Sequence, residues 1–492
     1  MPRSLARLAE DFALETRGAF DDVEVTGVAA DPGDIEAGDL FVDVAGPRAA
    51  VSTAELRERG AVALLTDPAG AERAGDDLPV LVTAAPREAV GDVAAWVYRT
   101  TEHPPLLFAV TGTTGKTSVV HLLDALLGQL GVPTGFSSTA EHRAGDDASP
   151  AGQGEPDAAQ LHALLARMRE NGVRAAAIEV SAQALTDGRV AGLEFDVVGF
   201  TNLAADQLSD YPDMEAYLAA KQNLFDPDRA RRGVVDVDGD WGRRVADESR
   251  IPVASVATTP GVADWTVTVD AEDQLGSDFT LVGPGGTSIS ARVPLVGRFM
   301  ATNAALAIVM LVESGFELEA IGHAIQQDGG IPVTVPGRAE RVSGEGSPAV
   351  YLDAAASAGA LRTTLRALRA ATPGRLLAVV PLAEAPDPAA LAEAAAEEAD
   401  VVVLTDFPPG FPRPSAAEEA ARGAAGTVLL HEIPDPRQAL RLAISLAEPG
   451  DSVLRAGPEH QHHQETSDVK HAYTARDDAR LALQEAGWSV AS

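Results

Sequence analysis

Apolar runs of strand length alternate with stretches whose apolar residues recur at helical spacing along most of the chain. The sharpest instance runs from Leu106 to Val110 and leads into the tight turn Gly112-Thr113-Thr114-Gly115-Lys116-Thr117-Ser118. Val119, Val120, Leu122, Leu123, Leu126, Leu127 and Leu130 then fall on one face of a predicted helix. Before this point, residues 1–103 read as a small α/β unit. A strand is expected over Gly38 to Val44, a helix over Ala54 to Gly60 and a strand over Ala61 to Thr66, and Met1 to Arg17 carries helical spacing. Thr101 to Pro105 is a proline-containing linker.

Residues 104–335 continue the strand–helix alternation of a largely parallel sheet covered by helices. Ala175 to Val180 and Asp196 to Asn202 are predicted strands, and the Gly-, Asp-, Ser- and Pro-rich Ala144 to Asp157 is expected to be a loop. Residues 336–492 repeat the alternation more loosely. Strands are expected at Leu377 to Val380, Val401 to Thr405 and Ser452 to Arg455, with helices at Pro388 to Ala399 and Pro436 to Ala447. Ala416 to Gly426 reads as a solvated, alanine-rich helix.

The strand–turn–helix around Lys116 is the context of a phosphate-binding loop. Glycines let the backbone approach an anion, amide N–H groups at the helix start face it, Lys116 supplies a point charge, and Thr117 offers a hydroxyl for Mg²⁺. The general pattern asks for a glycine five residues before Gly115, where this chain has Val110, so the shorter Gly-Thr-x-Gly-Lys-Thr form applies. Ligands of open α/β sheets gather at the carboxyl ends of strands, which places Glu179 and Asn202 to Asp206 near this loop.

At 492 residues the chain exceeds one hydrophobic core, and about three domains are expected. It contains no cysteine, which removes disulfides, thiolate zinc sites and cysteine nucleophiles. The formal net charge of −35 argues against nucleic acid or anionic lipid as a main partner. No signal peptide or membrane-spanning run is expected, and a cytoplasmic monomer is the reading. Of 38 basic residues only Lys116, Lys221 and Lys470 are lysines. Where arginine is the default cation, a retained lysine is a candidate for chemistry that guanidinium cannot perform.

Taken together, these segments resemble the Mur ligases, most closely the MurE type, over most of the length and most densely in the middle. The residues that carry the resemblance are Gly112 to Thr117, Glu179-Val180-Ser181-Ala182-Gln183-Ala184-Leu185 with Arg189, Phe200 to Leu208, and Ala219-Ala220-Lys221. Pro294 to Phe299 with Asn303, and Val335 to Arg341, extend it. The resemblance implies a three-domain α/β architecture. A central P-loop parallel-sheet ATPase domain (104–335) would be flanked by an N-terminal UDP-substrate domain (1–103) and a C-terminal Rossmann-like ligase domain (336–492). It implies an ATP-dependent ligase that adds an amino acid to a UDP-N-acetylmuramoyl peptide through an acyl phosphate, with ATP and Mg²⁺. Gly112, Thr113, Thr114, Gly115, Lys116, Thr117 and Ser118 would bind ATP, and Asn303, Arg338 and Asp353 would face the nucleotide. Thr117 and Glu179 would hold one magnesium ion and carbamylated Lys221 a second, with Lys116, Glu179 and Lys221 as the catalytic set. Asp31, Ser181 and Arg189 would contact the UDP-linked substrate.

Several positions depart from the family pattern. Asp206-Gln207-Leu208-Ser209 replaces Asp-His-Leu-Asp, which puts Gln207 where a magnesium-ligating histidine is usual, and Gly154-Glu155-Pro156 replaces a Thr-Thr-Pro substrate loop. In the last domain, Asp406-Phe407-Pro408-Pro409 stands for Asp-Asn-Pro-Arg, and Ala456 to Gln461 for Ala-Gly-Lys-Gly-His-Glu. An arginine for the carboxylate of meso-diaminopimelate and an acid for its distal amine are missing, so ordinary diaminopimelate specificity is not expected. A second reading follows from these departures: a nucleotide-binding, catalytically degenerate MurE paralogue with a regulatory or scaffold role. A folyl-polyglutamate or cyanophycin-type ligase fits the middle segments and residues 1–103 less well. His460, His462 and His463 form a cluster, but the last two are adjacent and make a poor metal site.

Overall fold

The computed structural model describes residues 2–20, 22–45, 52–151, 154–205, 210–382, 385, 387–405, 428–457, 463–466, 469–472 and 474–491. Three sheets organise it. The first has the spatial order Glu15–Arg17, Val80–Val82, Ala63–Thr66, Asp39–Val42, Gly27–Ala29, parallel except at the first strand. Alternation along these strands sends Leu40, Val42, Ala63 and Leu65 to one face, against Val90, Val93 and Val97 of helix Pro86–Tyr98. Phe41 and Leu64 go to the other face with Leu56 and Ala71. The helical spacing near the N-terminus yields only a short helix, Leu5–Asp11, capped by Ser4, before the chain turns into a strand.

The central sheet runs Asp147–Pro150, Glu141–Ala144, Thr134–Ser137, Ala175–Glu179, Leu106–Thr111, Phe195–Phe200, Ala230–Asp236, Val253–Ala257, Trp265–Asp273, Gly276–Val282, Ser288–Val293. From Thr134–Ser137 through Trp265–Asp273 neighbouring strands are parallel. Phe108 and Val110 face helices Lys116–Gln129 and Arg298–Glu313, while Leu107 and Ala109 face the core around Leu161 and Leu165. Burial on both faces explains why these strands read as continuous apolar runs.

One expectation fails here. Ala144 to Asp157 is not wholly a loop, because Asp147–Pro150 pairs antiparallel with Glu141–Ala144 as the edge strand of this sheet. All four of its residues are exposed, so no apolar pattern marked it. Asp157 then caps helix Ala158–Glu170 in a capping box with Gln160.

The third sheet has the order Glu340–Arg341, Ala349–Asp353, Ser452–Ala456, Leu376–Pro381, Val401–Thr405, Leu429–Glu432, parallel after its first strand. The three strands expected in this region are present, and Glu340–Arg341, Ala349–Asp353 and Leu429–Glu432 are three further strands that were not expected. The alanine-rich 416–426 lies outside the described residues. Among the described residues no helix is long and apolar enough to cross a membrane.

Buried polar contacts join the first sheet's layer to the central one. His162 Nε2 donates to the Ala191 carbonyl at 2.9 Å, which leaves Nδ1 to accept from Thr100 Oγ1 at 2.6 Å. Arg169 Nη1 donates to the carbonyls of Tyr98 and Arg99 at 2.9 and 2.8 Å. Helix Pro86–Tyr98 approaches the turn at Ala191 so closely that a Cβ on Gly91 would lie 2.5 Å from Ala191 Cβ and 2.6 Å from its carbonyl oxygen. Gly91→Ala should therefore destabilise by about 1–3 kcal/mol through overpacking. Gly128→Ala, on a helix with open space around it, should be neutral or stabilise by up to about 1 kcal/mol. Denaturant unfolding of the two variants checks this; equal effects would refute the close-approach argument.

Candidate active site

Strand Leu106–Thr111 ends in the middle of the central sheet, and the chain must turn sharply there to start helix Lys116–Gln129. Gly112, at φ +146°, makes that turn, and a Cβ there would overlap Thr201 Oγ1. The neighbouring strand Phe195–Phe200 braces the loop from its carboxyl end. Thr201 Oγ1 donates to the Thr114 carbonyl at 2.6 Å, and the Thr114 amide donates to Asn202 Oδ1 at 3.1 Å. Lys116 Nζ folds back onto the carbonyls of Gly112 and Thr113 at 3.2 and 3.0 Å, with Glu179 at 3.8 Å.

Glu179 closes strand Ala175–Glu179, in register with Val110. Its Oε2 accepts from Thr117 Oγ1 at 2.9 Å, from the Thr139 amide at 3.1 Å and from Thr139 Oγ1 at 3.3 Å. Thr139 was not among the residues expected from the sequence; its only signal is the polar run Ser137-Ser138-Thr139 at the end of strand Thr134–Ser137. Lys221, on helix Met214–Gln222, is 1 % exposed. Its Nζ donates to the Gly112 carbonyl at 2.8 Å and lies 4.6 Å from the centre of the Tyr217 ring. Burial, and next the Lys116 charge, lower its ammonium to about 6 against the pull of Glu155 and Glu179. At neutral pH the amine is therefore mostly uncharged, the form that can add CO₂.

The third sheet contributes the opposite wall. Arg338 Nη2 donates to Thr117 Oγ1 at 3.3 Å. Asp353, buried at the end of strand Ala349–Asp353, accepts from the amides of Ala339 and Ala355 at 2.8 and 2.9 Å. Burial raises its carboxyl, and Arg338 is the first influence opposing that rise. Asn303, on helix Arg298–Glu313, lies beside Gly115. Between the two walls is a cavity of about 680 Å³ lined by Thr113 to Ser118, Phe299, Asn303, Arg338, Asp353 and helix Ala358–Ala371. Of the residues expected to bind the nucleotide, it brings together Thr113 to Ser118, Asn303, Arg338 and Asp353, while Gly112 does not line it.

A second cavity of about 720 Å³ lies between the first sheet and helix Ala158–Glu170, bordered by Asp34, Asp39, Tyr98, His142, Gln160 and Arg167. Ser181 and Arg189 stand together at the first cavity. Asp31 stands one step back from the second, where its Oδ1 accepts from the Gly33 amide at 2.6 Å and shapes the turn that lines it. Glu155 lines both cavities and was singled out by the sequence only as part of a replaced motif. Gln207, Asp406 to Pro409, His460 and His462 lie outside the described residues, as does the side chain of His463.

Among the described residues, no three His, Cys, Asp or Glu side chains cluster to hold a metal ion. A Thr hydroxyl and one carboxylate 2.9 Å apart are nevertheless a hard-oxygen pair suited to Mg²⁺, which takes few protein ligands and completes its shell with phosphate oxygens and water.

Residues 110–311 match the Mur ligase middle domain, and residues 337–458 the Mur ligase glutamate ligase domain. A protein of Leifsonia xyli subsp. xyli named UDP-N-acetylmuramyl-tripeptide synthetase is 53% identical over 497 residues, covering 99% of this chain and 97% of that one. The UDP-N-acetylmuramoyl-L-alanyl-D-glutamate–2,6-diaminopimelate ligase of Streptomyces coelicolor is 36% identical, covering 98% of this chain and 96% of its own length. A solved structure of a ligase of the latter name superposes with a TM-score of 0.69 at 22% identity, covering 99% of this chain and 100% of that one, a likeness of fold.

Gly112→Ala would need both a strained φ and displacement of Thr201, which braces the loop. It should weaken binding of a fluorescent ATP analogue by more than about tenfold, the loss of about 1.4 kcal/mol or more. Wild-type affinity in this variant would refute the bracing role.

Proposed function

The chain belongs to the Mur ligase family, whose members are ATP-dependent amide-bond ligases, and we propose that it joins an amino acid to a UDP-N-acetylmuramoyl dipeptide in peptidoglycan precursor synthesis. The observation that carries the proposal is convergence. Lys116, Thr117 and Glu179 beside the central sheet meet Arg338 and Asp353 from the third around one cavity, Lys221 is buried behind the loop on the Gly112 carbonyl, and a second cavity adjoins the first at Glu155. In this reading residues 1–103 help bind the UDP-linked substrate, 104–335 bind ATP and 336–492 present the amino acid.

The residues then act mainly by position and charge. ATP phosphorylates the substrate carboxylate, and the incoming amine attacks the acyl phosphate with loss of phosphate. Lys116 exchanges its contacts with Gly112 and Thr113 for the β- and γ-phosphates, and the loop amides hold the same anion. Thr117 and Glu179 would hold Mg²⁺, which neutralises phosphate charge when bound. Carbamylation of Lys221 would convert a buried amine into an oxygen donor beside them. Arg338 adds a fixed cation from the third sheet, oriented through Thr117. Asn303 and Asp353 complete the nucleotide wall, and Ser181 and Arg189 bind the UDP-linked substrate.

The alternative, a nucleotide-binding paralogue without ligation, has less support. Thr117 and Lys116 contact Glu179, Lys221 and Lys116 share the Gly112 carbonyl, and the similarity to the Leifsonia relative covers 97% of its length. The changes at Asp406 to Pro409 bear instead on which amino acid is used. We infer that it is not meso-diaminopimelate.

The direct test is phosphate release with UDP-N-acetylmuramoyl-L-alanyl-D-glutamate and a panel of amino acids. One member should support turnover, with meso-diaminopimelate giving less than about a tenth of its rate, a discrimination of about 1.4 kcal/mol. Lys116→Ala and Lys221→Arg should each lose at least about a hundredfold, or about 2.7 kcal/mol. Absence of turnover with every amino acid would leave the degenerate paralogue as the better reading.

The Lys221 amine also sets a pH dependence. Enzyme stripped of CO₂ should be inactive and recover on adding bicarbonate. Its ammonium is lowered to about 6, so the CO₂-reactive neutral amine predominates above that pH and is lost below it. At fixed dissolved CO₂, the recovery rate should be level above pH 7 and fall about tenfold per pH unit below about pH 5. Recovery in Lys221→Arg would refute the carbamate.

A further inference from the structure

Glu155 lies where the two cavities adjoin and lines both. Its Oε1 accepts from the Ser181 amide at 3.0 Å and its Oε2 from Ser181 Oγ at 2.7 Å. The Glu155 main-chain carbonyl accepts from Arg189 Nη1 at 2.9 Å. One residue of the chain therefore occupies three donors of the two residues read as substrate contacts, one main-chain amide and two side-chain groups. Two of those donors are engaged by an anionic group of the same chemistry as the substrate offers.

Its electrostatic setting is not that of a settled structural strut. Burial raises the carboxyl, with the Ser181 hydroxyl opposing and the Glu179 charge adding to the rise. Asp187, which pairs with Arg189 at 3.1 Å, adds further negative charge nearby. A second anion cannot share the Ser181 donors with Glu155, because each donor proton serves one acceptor well and the two charges repel at contact.

We propose that Glu155 is a resident carboxylate that occupies the two Ser181 donors beside Arg189 in the free protein and is expelled by an anionic group of the incoming UDP-linked substrate. The substrate's identity rests on the ligase reading; the exchange of one anion for another rests on the contacts alone. The free protein keeps its buried donors satisfied, and substrate affinity is lowered by the fraction of molecules in which Glu155 is seated. The displacing group is either a peptide carboxylate or the diphosphate.

Calorimetric titration of UDP and of UDP-N-acetylmuramoyl-L-alanyl-D-glutamate into wild type, Glu155→Ala and Glu155→Gln tests this. If the seated form holds about nine-tenths of the free protein, Glu155→Ala should bind the dipeptide ligand about tenfold more tightly, with Glu155→Gln intermediate. An equal gain for UDP alone assigns the displacing group to the diphosphate, and a gain only for the dipeptide ligand assigns it to a carboxylate. Unchanged or weaker binding in Glu155→Ala overturns the proposal and makes Glu155 a substrate contact or a strut. Thermal melts report whether each variant folds; if Glu155→Ala does not, the Glu155→Gln result decides by the same criterion. Wild-type turnover separately decides the ligase reading, so tighter binding without turnover sinks that reading and keeps this one. No binding of either ligand to wild type or variants sinks the displacement.

Discussion

Two of the chain's three lysines donate to a single acceptor. The carbonyl oxygen of Gly112 receives Lys116 Nζ at 3.2 Å and Lys221 Nζ at 2.8 Å. Lys116 starts the helix that follows the loop, while Lys221 arrives on a helix more than a hundred residues later. Their meeting is possible only because Gly112 adopts a φ closed to most side chains and turns its carbonyl into the sheet's carboxyl edge. Burying two amines side by side disfavours a charge on both, and Lys221, nearly without solvent contact, is the one driven toward the neutral form. The loop's shape and the chemistry open to Lys221 thus follow from the same backbone turn.

Around that point the three sheets have separate tasks. The central sheet fixes the loop and Glu179 by strand register, since parallel strands carry their carboxyl ends to one edge. The third reaches across through Arg338, whose guanidinium donates to the Thr117 hydroxyl and so ties the third sheet to the turn that follows strand Leu106–Thr111. The first is docked on the central one by His162, Arg169 and the close approach at Gly91, which shapes the second cavity. Amide synthesis from a UDP-linked carboxylate, ATP and an amine needs three binding regions opening on one reaction centre. These contacts bring two cavities together at Glu155.

The loop from Gly112 to Ser118, the strand before it and the helix after it were legible because the sequence carries both the apolar pattern and the turn chemistry. Lys116 and Lys221 are conspicuous in the sequence alone, because arginine is the default base of this chain. The edge strands Asp147–Pro150 and Leu429–Glu432 were not legible. The four residues of the first are all exposed, so main-chain pairing alone places it, while the second turns only Val428 and Leu430 to the core, too short an alternation to mark a strand.

Local signals thus determined the fold class, the phosphate loop and the residue types able to do the chemistry, because propensity, periodicity and turn preference act over a few residues. Tertiary structure alone decided which distant groups share an atom: Lys221 on the Gly112 carbonyl, Thr139 on Glu179, Arg338 on Thr117 and Glu155 on Ser181. Such pairs lie tens to hundreds of residues apart, and no short-range pattern encodes them. They arise when strand order and domain docking bring remote side chains into one buried space, where hydrogen bonding and desolvation set the partner of each.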